Sequence, residues 1–403
     1  MTQVLHIISN KDNSGGTIAA LNLHYALQQN GIQSATLSSD ELEGSEQGKG
    51  YRRFGGAVGR IQQGFLKLEN LLARPGWINP MDRLVYPSIL KNYSGIVHIH
   101  VTHVAQISFD LISKLAKGNK VFWTLHDLWP LTAKCIHPID CNKYKSNCHH
   151  CPKLQEYPSL QWDNTPHLHR QKMNFVKQHK IHFISPSKWI TKENEQYIHN
   201  IDGKISTIPH AVDFNFSKAL VSKIEIRLKY NLPLDGDLIL FPQGRWDDIK
   251  KGSNWFESIK KSLTKSSKLE HKIYLLKLTG NKLQFNRLNG WVTEIHLPAT
   301  SNKEIMAAYY QLSDVSISLS EIETFGLCVA ESLACKIPVL ARSSKGVNEL
   351  LHDDIIANTE EELSQFIIDR KWLKFNYEPL FSRISADMSI NNWAKAHIKL
   401  YGI

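Results

Sequence analysis

The chain has no apolar run near the roughly 18 to 20 residues that span a bilayer, so nothing in it reads as a transmembrane helix. Its start, MTQVLHIISNKDNSGG, lacks the basic n-region and apolar core of a secretory signal and reads as a first strand, so a cytoplasmic protein is expected. The dinucleotide fingerprint Gly-x-Gly-x-x-Gly is missing, which disfavours an NAD-linked enzyme. No DNA- or RNA-binding motif occurs, so nucleic acid is not an expected partner. Repeats of 20 to 50 residues and low-complexity tracts are absent too, which excludes a solenoid. Acids are in deficit: 38 Asp and Glu stand against 48 Lys and Arg, a formal charge of +10.

Part of that excess is local. Lys49, Arg52, Arg53, Arg60, Lys67 and Arg74 face Glu69 alone, interleaved with Phe54, Val58, Ile61, Phe65, Leu66 and Leu68. Such a segment suits an anionic membrane surface, phosphates, or a plain solvated helix face.

What is present has a rhythm. VLHIIS is a short apolar run, TIAALNLHYALQQNGI carries helical spacing to a Gly31 stop, and SATL follows. GIVHIHV, KVFWTLH, IHFISPS and ISTIPHA continue as strands. The second half restarts with DLILFPQG, KIYLLKLTG, TEIHLPA, VSISLS and IPVLAR, with helical stretches between. Strand and helix in alternation mean βαβ units and parallel sheets. The expected class is α/β, with two doubly wound Rossmann-like domains, 1–212 and 213–403, facing a central cleft. Ligands in such sheets sit at the carboxyl ends of strands. The final helix, INNWAKAHIKLY, is amphipathic and is free to pack back on the first domain.

Glu323 and Glu331 lie eight residues apart in SEIETFGLCVAESLACKIPVLA. Glu323 falls at a strand's carboxyl end and Glu331 about one turn into the next helix. Free amides at a helix start favour an anion, and carboxylates accept from hydroxyls. That combination outlines a nucleotide sugar. Spacing alone fits ordinary surface acids better.

The surrounding letters change the balance. ETFGLCVAESLACKIPV resembles the hallmark of retaining glycosyltransferases of family 4, whose fold is GT-B. The resemblance implies that Glu323 binds the donor sugar's hydroxyls and Glu331 the ribose, beside Thr324, Phe325 and Gly326. Lys336 stands where the family has Gly before Pro-Val. PQGRWDDIKKG resembles the family's Gly-Arg…Lys-Gly element, which assigns Arg245 and Lys251 to the donor diphosphate; Lys250 rivals Lys251 for that role. Two fixed cations would offset the growing charge of a diphosphate leaving group without a catalytic metal. The Gly15-Gly16 loop after the first strand would let backbone amides approach phosphate or acceptor. His126, at the end of FWTLHD, is the candidate histidine facing the donor sugar. IPHAVD resembles the family's Ile-Pro-Asn-Gly-Val-Asp, with His210 and Ala211 substituted.

Four of the six cysteines bunch at Cys135, Cys141, Cys148 and Cys151. A structural zinc, two disulfides and free thiols are all open, with His137, His149 and His150 as substitute ligands. A similar Cys-rich insert follows the His-Asp-x-Trp-Pro stretch in a surface-polysaccharide subgroup of the family.

The resemblance therefore implies a retaining enzyme that moves a hexose from a nucleoside-diphosphate sugar to a saccharide acceptor. A lipid-linked acceptor at the inner membrane face is expected, in lipopolysaccharide, capsule or exopolysaccharide synthesis. The rivals are a GT-B-type nucleotide-sugar epimerase and a non-enzymatic, zinc-bearing polyanion-binding protein.

Overall fold

The computed structural model describes residues 3–8, 15–37, 56–77, 93–101, 108–212, 222–244, 246 and 248–403, with backbone alone at 56–59, 62, 63 and 66. The chain divides into two units, Met1–Pro209 with Trp393–Ile403, and His210–Asn392.

The first unit holds a six-stranded sheet in the order β2-β1-β3-β4-β5-β6, parallel throughout. Its strands are β1 (Val4–Ile7), β2 (Ser34–Leu37), β3 (Ile96–Ile99), β4 (Lys120–Thr124), β5 (His182–Ser185) and β6 (Lys204–Thr207). β1 and β3 are buried at every residue, as a parallel sheet covered on both faces requires. Trp123, 1% exposed, anchors the core and donates Nε1–H to the carbonyl of His100 at 3.1 Å. The helix Phe109–Ala116 starts at Ser108, whose hydroxyl accepts from the Leu111 amide at 3.2 Å. The last helix, Ile390–Tyr401, closes on this unit: Lys120 Nζ donates to the Tyr401 carbonyl at 3.0 Å.

The helix Gly56–Leu71 displays apolar residues to solvent. Ile61, Leu68 and Leu71 are exposed, as is Leu72 beyond it, beside exposed Arg60 and Lys67. Trp162, also exposed, donates Nε1–H to the Leu71 carbonyl at 3.1 Å. Glu69 turns inward and accepts from the Gly76 amide at 3.1 Å. Lys49, Arg52 and Arg53 lie outside the described residues.

The second unit holds a seven-stranded sheet, β13-β12-β11-β7-β8-β10-β9. Its members are β7 (Asp237–Phe241), β8 (Ile273–Leu278), β9 (Gln284–Arg287), β10 (Val292–Leu297), β11 (Val315–Ser318), β12 (Val339–Arg342) and β13 (Ile356–Ala357). All pairings are parallel except β9 with β10. β7 pairs with its successor β8 on one side and with β11 on the other, so the strand order reverses between β7 and β11. Crevices form beyond the carboxyl ends of strands at such a reversal.

The boundary falls between Pro209 and His210, before Val212. Val212 belongs to the second unit because its amide donates to Met388 at 2.9 Å and it bridges Ser389. β9 carries no apolar alternation because all four residues are exposed at the sheet's edge.

Candidate functional site

The loops beyond the carboxyl ends of β7 and β11 carry Lys251 and Glu323. After β7 the chain makes a 3-10 turn, Ile249–Lys251, capped by the Asp248 side chain, which accepts from the Lys250 amide at 3.0 Å. The Glu321 amide donates to the Lys250 carbonyl at 2.9 Å, which ties the loop after β11 to this turn. Gly252 closes the turn at φ +91°, and a Cβ there would come within 2.4 Å of Leu319. Only glycine lets these two loops lie so close.

The turn brings Lys251 Nζ to 2.7 Å from Glu323 Oε1. Burial opposes the charge on Lys251, but the charge and hydrogen bond of Glu323, helped by Cys328 and Asp248, outweigh it and raise the ammonium above its ordinary range. Lys251 is thus fully charged and already facing a carboxylate. The pair presents one ammonium and one carboxylate side by side. An anion bearing hydroxyls suits both.

Glu331 sits in the helix Leu327–Ala334, which begins at Gly326 in the left-handed region (φ +102°). Its Oε2 accepts from the Tyr310 hydroxyl at 2.9 Å. Burial raises the Glu331 carboxyl to about 7, against the Tyr310 hydrogen bond and the Lys303 charge, which pull it down. Cys328 lies between the two acids in sequence, its thiol pushed up to about 12 by burial and then by the charges of Glu331 and Glu323. Thr324 is half-buried. Phe325 is 4% exposed and packs edge-on against His210 at 5.5 Å, so its ring is core and only its backbone can meet a ligand. Gly346 presses on the site from the other side: a Cβ there would come within 2.3 Å of the Glu323 carbonyl oxygen.

Tyr310 and Gly346 carry no sequence signal. Tyr310 is one of two adjacent tyrosines in the helix Lys303–Leu312, and only packing shows which one reaches Glu331. Arg245 lies outside the described residues.

In the first unit, Gly15 and Gly16 open the helix Gly15–Gln29. Gly16 abuts His126: a Cβ on it would stand 3.1 Å from the imidazole Cγ and 2.5 Å from Val101. The predicted Gly-Gly loop and the predicted strand-end histidine therefore meet. His126 Nε2 is 3.0 Å from His100 Nδ1. The turn beyond His126 is clamped from below. Asp127 accepts from the Trp129 amide at 2.8 Å, and buried Lys172 donates to the carbonyls of Trp129 and Thr132 at 2.7 and 2.8 Å.

Cys135, Cys141, Cys148 and Cys151 are free and half-buried. Burial, and then the neighbouring Cys151 and Cys141, raise the Cys135 thiol despite Lys134. Burial also lifts Cys148 to about 11. The sulfurs feel one another, yet among the described residues no three of them lie within 4.8 Å; His6, His98 and His100 alone meet that spacing. Donor chemistry fits zinc, whose thiolate bonds run about 2.3 Å. The present spacing is wider than such a site.

The family model described as Glycosyl transferases group 1 matches residues 256–370, which include Glu323 and Glu331. The colanic acid biosynthesis glycosyl transferase WcaC of Escherichia coli (strain K12) is 23% identical over 296 residues, 70% of this chain and 69% of its own length. A D-inositol 3-phosphate glycosyltransferase of Nocardiopsis dassonvillei is 27% identical over 165 residues, 38% of each chain. Sucrose-phosphate synthase from Thermosynechococcus elongatus superposes with a TM-score of 0.66 at 16% identity, over 100% of this chain and 98% of that one. Anabaena HepE, solved with UDP and glucose, superposes at 0.64 with 12% identity over the full length of both. The fold is GT-B, two parallel-sheet Rossmann-like domains. The matched segment and the relatives support a place in the GT-B glycosyltransferase superfamily.

Proposed function

We propose that this chain is a retaining glycosyltransferase that moves a hexose from a nucleoside-diphosphate sugar to a saccharide acceptor, carried on a lipid, in surface-polysaccharide synthesis. The observation that carries the reading is the Lys251–Glu323 contact at the strand-order reversal, with Glu331 on the following helix. Lys251, with Arg245, takes the diphosphate and offsets the charge that grows on it as the glycosidic bond breaks. Glu323 accepts from hydroxyls of the transferred sugar, and Glu331 from the ribose diol. His126 and the Gly15-Gly16 loop keep the roles toward sugar and phosphate that the family resemblance assigns. UDP is the first nucleotide to try, because HepE was solved with UDP and glucose.

The exposed apolar stripe of Ile61, Leu68, Leu71 and Leu72, flanked by Arg60 and Lys67, fits a chain that works against an anionic membrane surface. Among the described residues no helix is long and apolar enough to cross a membrane. A structural zinc on Cys135, Cys141, Cys148 and Cys151 is a further proposal, since binding would have to draw the sulfurs together. Metal analysis of untagged protein should find about one zinc per chain; four titratable thiols and no metal would end it.

The experiment for the main reading is a donor panel. UDP-, GDP- and ADP-hexoses are incubated with lipid-linked saccharides from an envelope extract. A glycosylated lipid should form from one nucleotide class, with the donor's anomeric configuration kept. Inverted product would refute retention, and no transfer from any donor would refute the assignment.

A further inference from the structure

The first unit buries histidines that the proposed transfer leaves without a role. His6, His98 and His100 are 0%, 0% and 3% exposed. The parallel register sets His6 beside His98. Alternation along a strand puts His100 on the same face as His98, and His126 on the same face as Thr124. His6 Nδ1 lies 2.9 Å from His100 Nε2, and His100 Nδ1 lies 3.0 Å from His126 Nε2. The three rings form one hydrogen-bonded ladder that ends at the histidine packed on Gly16.

A metal is the rival use of this cluster. His98 and His100, however, have both ring nitrogens engaged. His98 Nε2 is 2.7 Å from Thr124 Oγ1, and its Nδ1 is 2.6 Å from the Tyr401 hydroxyl. Among the described residues, His24, His98 and His397 face the ladder, and Tyr401 faces His98. Asp127, next to His126, turns its Oδ1 to the Trp129 amide. No carboxylate among these offsets a cation's charge, and burying one uncompensated is costly. Burial, followed by the neighbouring histidines, pushes His6 and His100 well below the ordinary imidazole range, so both rings are neutral.

A neutral imidazole has one N–H. Two directions are then open. If His126 donated inward, His100 would donate to His6 and leave the His6 N–H on Nε2. That atom is buried and has no hydrogen-bond partner among the described residues. If His6 donates outward, its Nε2 is a bare lone pair instead. Orphaned buried N–H groups are rarer than under-used acceptors. The outward direction wins: His6 Nδ1–H to His100 Nε2, then His100 Nδ1–H to His126 Nε2.

We propose that His6 and His100 are positioning residues that hold His126 as its neutral Nδ1–H tautomer, with Nε2 occupied by His100. The consequence for transfer rests on His126 facing the donor sugar; the tautomer does not.

The test uses the full chain labelled with 15N-histidine and two-bond 1H–15N correlation spectra, with His126 assigned by its loss in His126→Gln. His126 should show a protonated Nδ1 and a bare Nε2. His100→Phe and His6→Leu should move it to a mixture of tautomers. His6→Asn, whose side-chain amide can stand in for Nδ1–H, should keep the wild-type pattern and rescue turnover. His6→Leu should lower kcat about tenfold or more, with the donor KM little changed, the lower end of what losing the outer partner of a metal-bound histidine costs. A wild-type His126 protonated on Nε2 would overturn the ladder, and that spectrum needs no variant to fold. So would an unchanged tautomer in both disrupting variants, or a stoichiometric metal lost with His6→Leu. The expected tautomer with no transfer from any donor would sink the functional reading alone.

Discussion

Lys251 Nζ lies 2.7 Å from Glu323 Oε1, and their loops are tied by the Glu321 amide on the Lys250 carbonyl. The 3-10 turn gives the two lysines different surroundings. Lys251 faces the carboxylate, while the Lys250 backbone fastens the loop. Lys251→Ala should therefore weaken nucleoside-diphosphate-sugar binding by about 2 kcal/mol, the scale of a charged hydrogen bond to phosphate. Lys250→Ala should cost clearly less. Calorimetric titration of the two variants gives the ranking, and a reversed order would move the phosphate contact to Lys250.

Glu331 sets a pH dependence. Its carboxyl titrates near 7, above its ordinary 4.5, chiefly through burial. An ionised carboxylate accepts both ribose hydroxyls, so below pH 7 a proton must leave before the donor binds well. Donor affinity should fall as pH drops through 7, approaching about tenfold per pH unit. Stability runs the other way. The folded chain keeps a proton that the unfolded chain gives up, so this group's contribution is complete below about 4.5 and lost as pH climbs through about 7. Glu331→Gln should raise the Tm at pH 8, flatten the affinity profile and weaken the donor. A flat wild-type profile from pH 6 to 8 would rule out Glu331 as the ribose ligand.

Gly346 predicts a positioning effect without a lost functional group. A Cβ within 2.3 Å of the Glu323 carbonyl must push one backbone away from the other. Displacement near 1 Å costs on the order of a hundredfold in rate when geometry is catalytic. Gly346→Ala should cut kcat/KM by at least about tenfold while the protein stays folded by circular dichroism. Wild-type kinetics in this variant would mean that Glu323 need not be held where it stands.

How much of this was legible depended on the kind of signal. Parallel strands announce themselves as short apolar runs, and Glu323 and Glu331 stand in a dense motif. β9 gave no warning because an exposed edge strand needs no buried face. Tyr310 and Gly346 reach the site from helices distant in sequence, so only packing reveals them. The histidine ladder was partly readable. The letters His98-Ile99-His100 alternate, and alternation alone implies a shared face. Within strands that read as wholly apolar, these letters passed as strand composition, and the partner His6 is fixed only by the β1–β3 register.

The exposed stripe on the helix Gly56–Leu71 predicts membrane binding. The protein should float with vesicles containing anionic lipid more than with neutral ones. Leu68→Asp with Leu71→Asp should lower that partition at least about tenfold, since each buried leucine contributes about 1.5 to 3 kcal/mol. Equal partition of wild type and variant would remove this face from the account.

The central claim is that Glu323, paired with Lys251, contacts the sugar that is transferred. The most direct measurement is the single-turnover rate of hexose transfer from the donor found in the panel, for wild type and Glu323→Ala at saturating donor. The account predicts that the variant still binds donor and transfers at least about a hundredfold more slowly, the scale of one strong transition-state contact. Transfer at the wild-type rate by Glu323→Ala would contradict it.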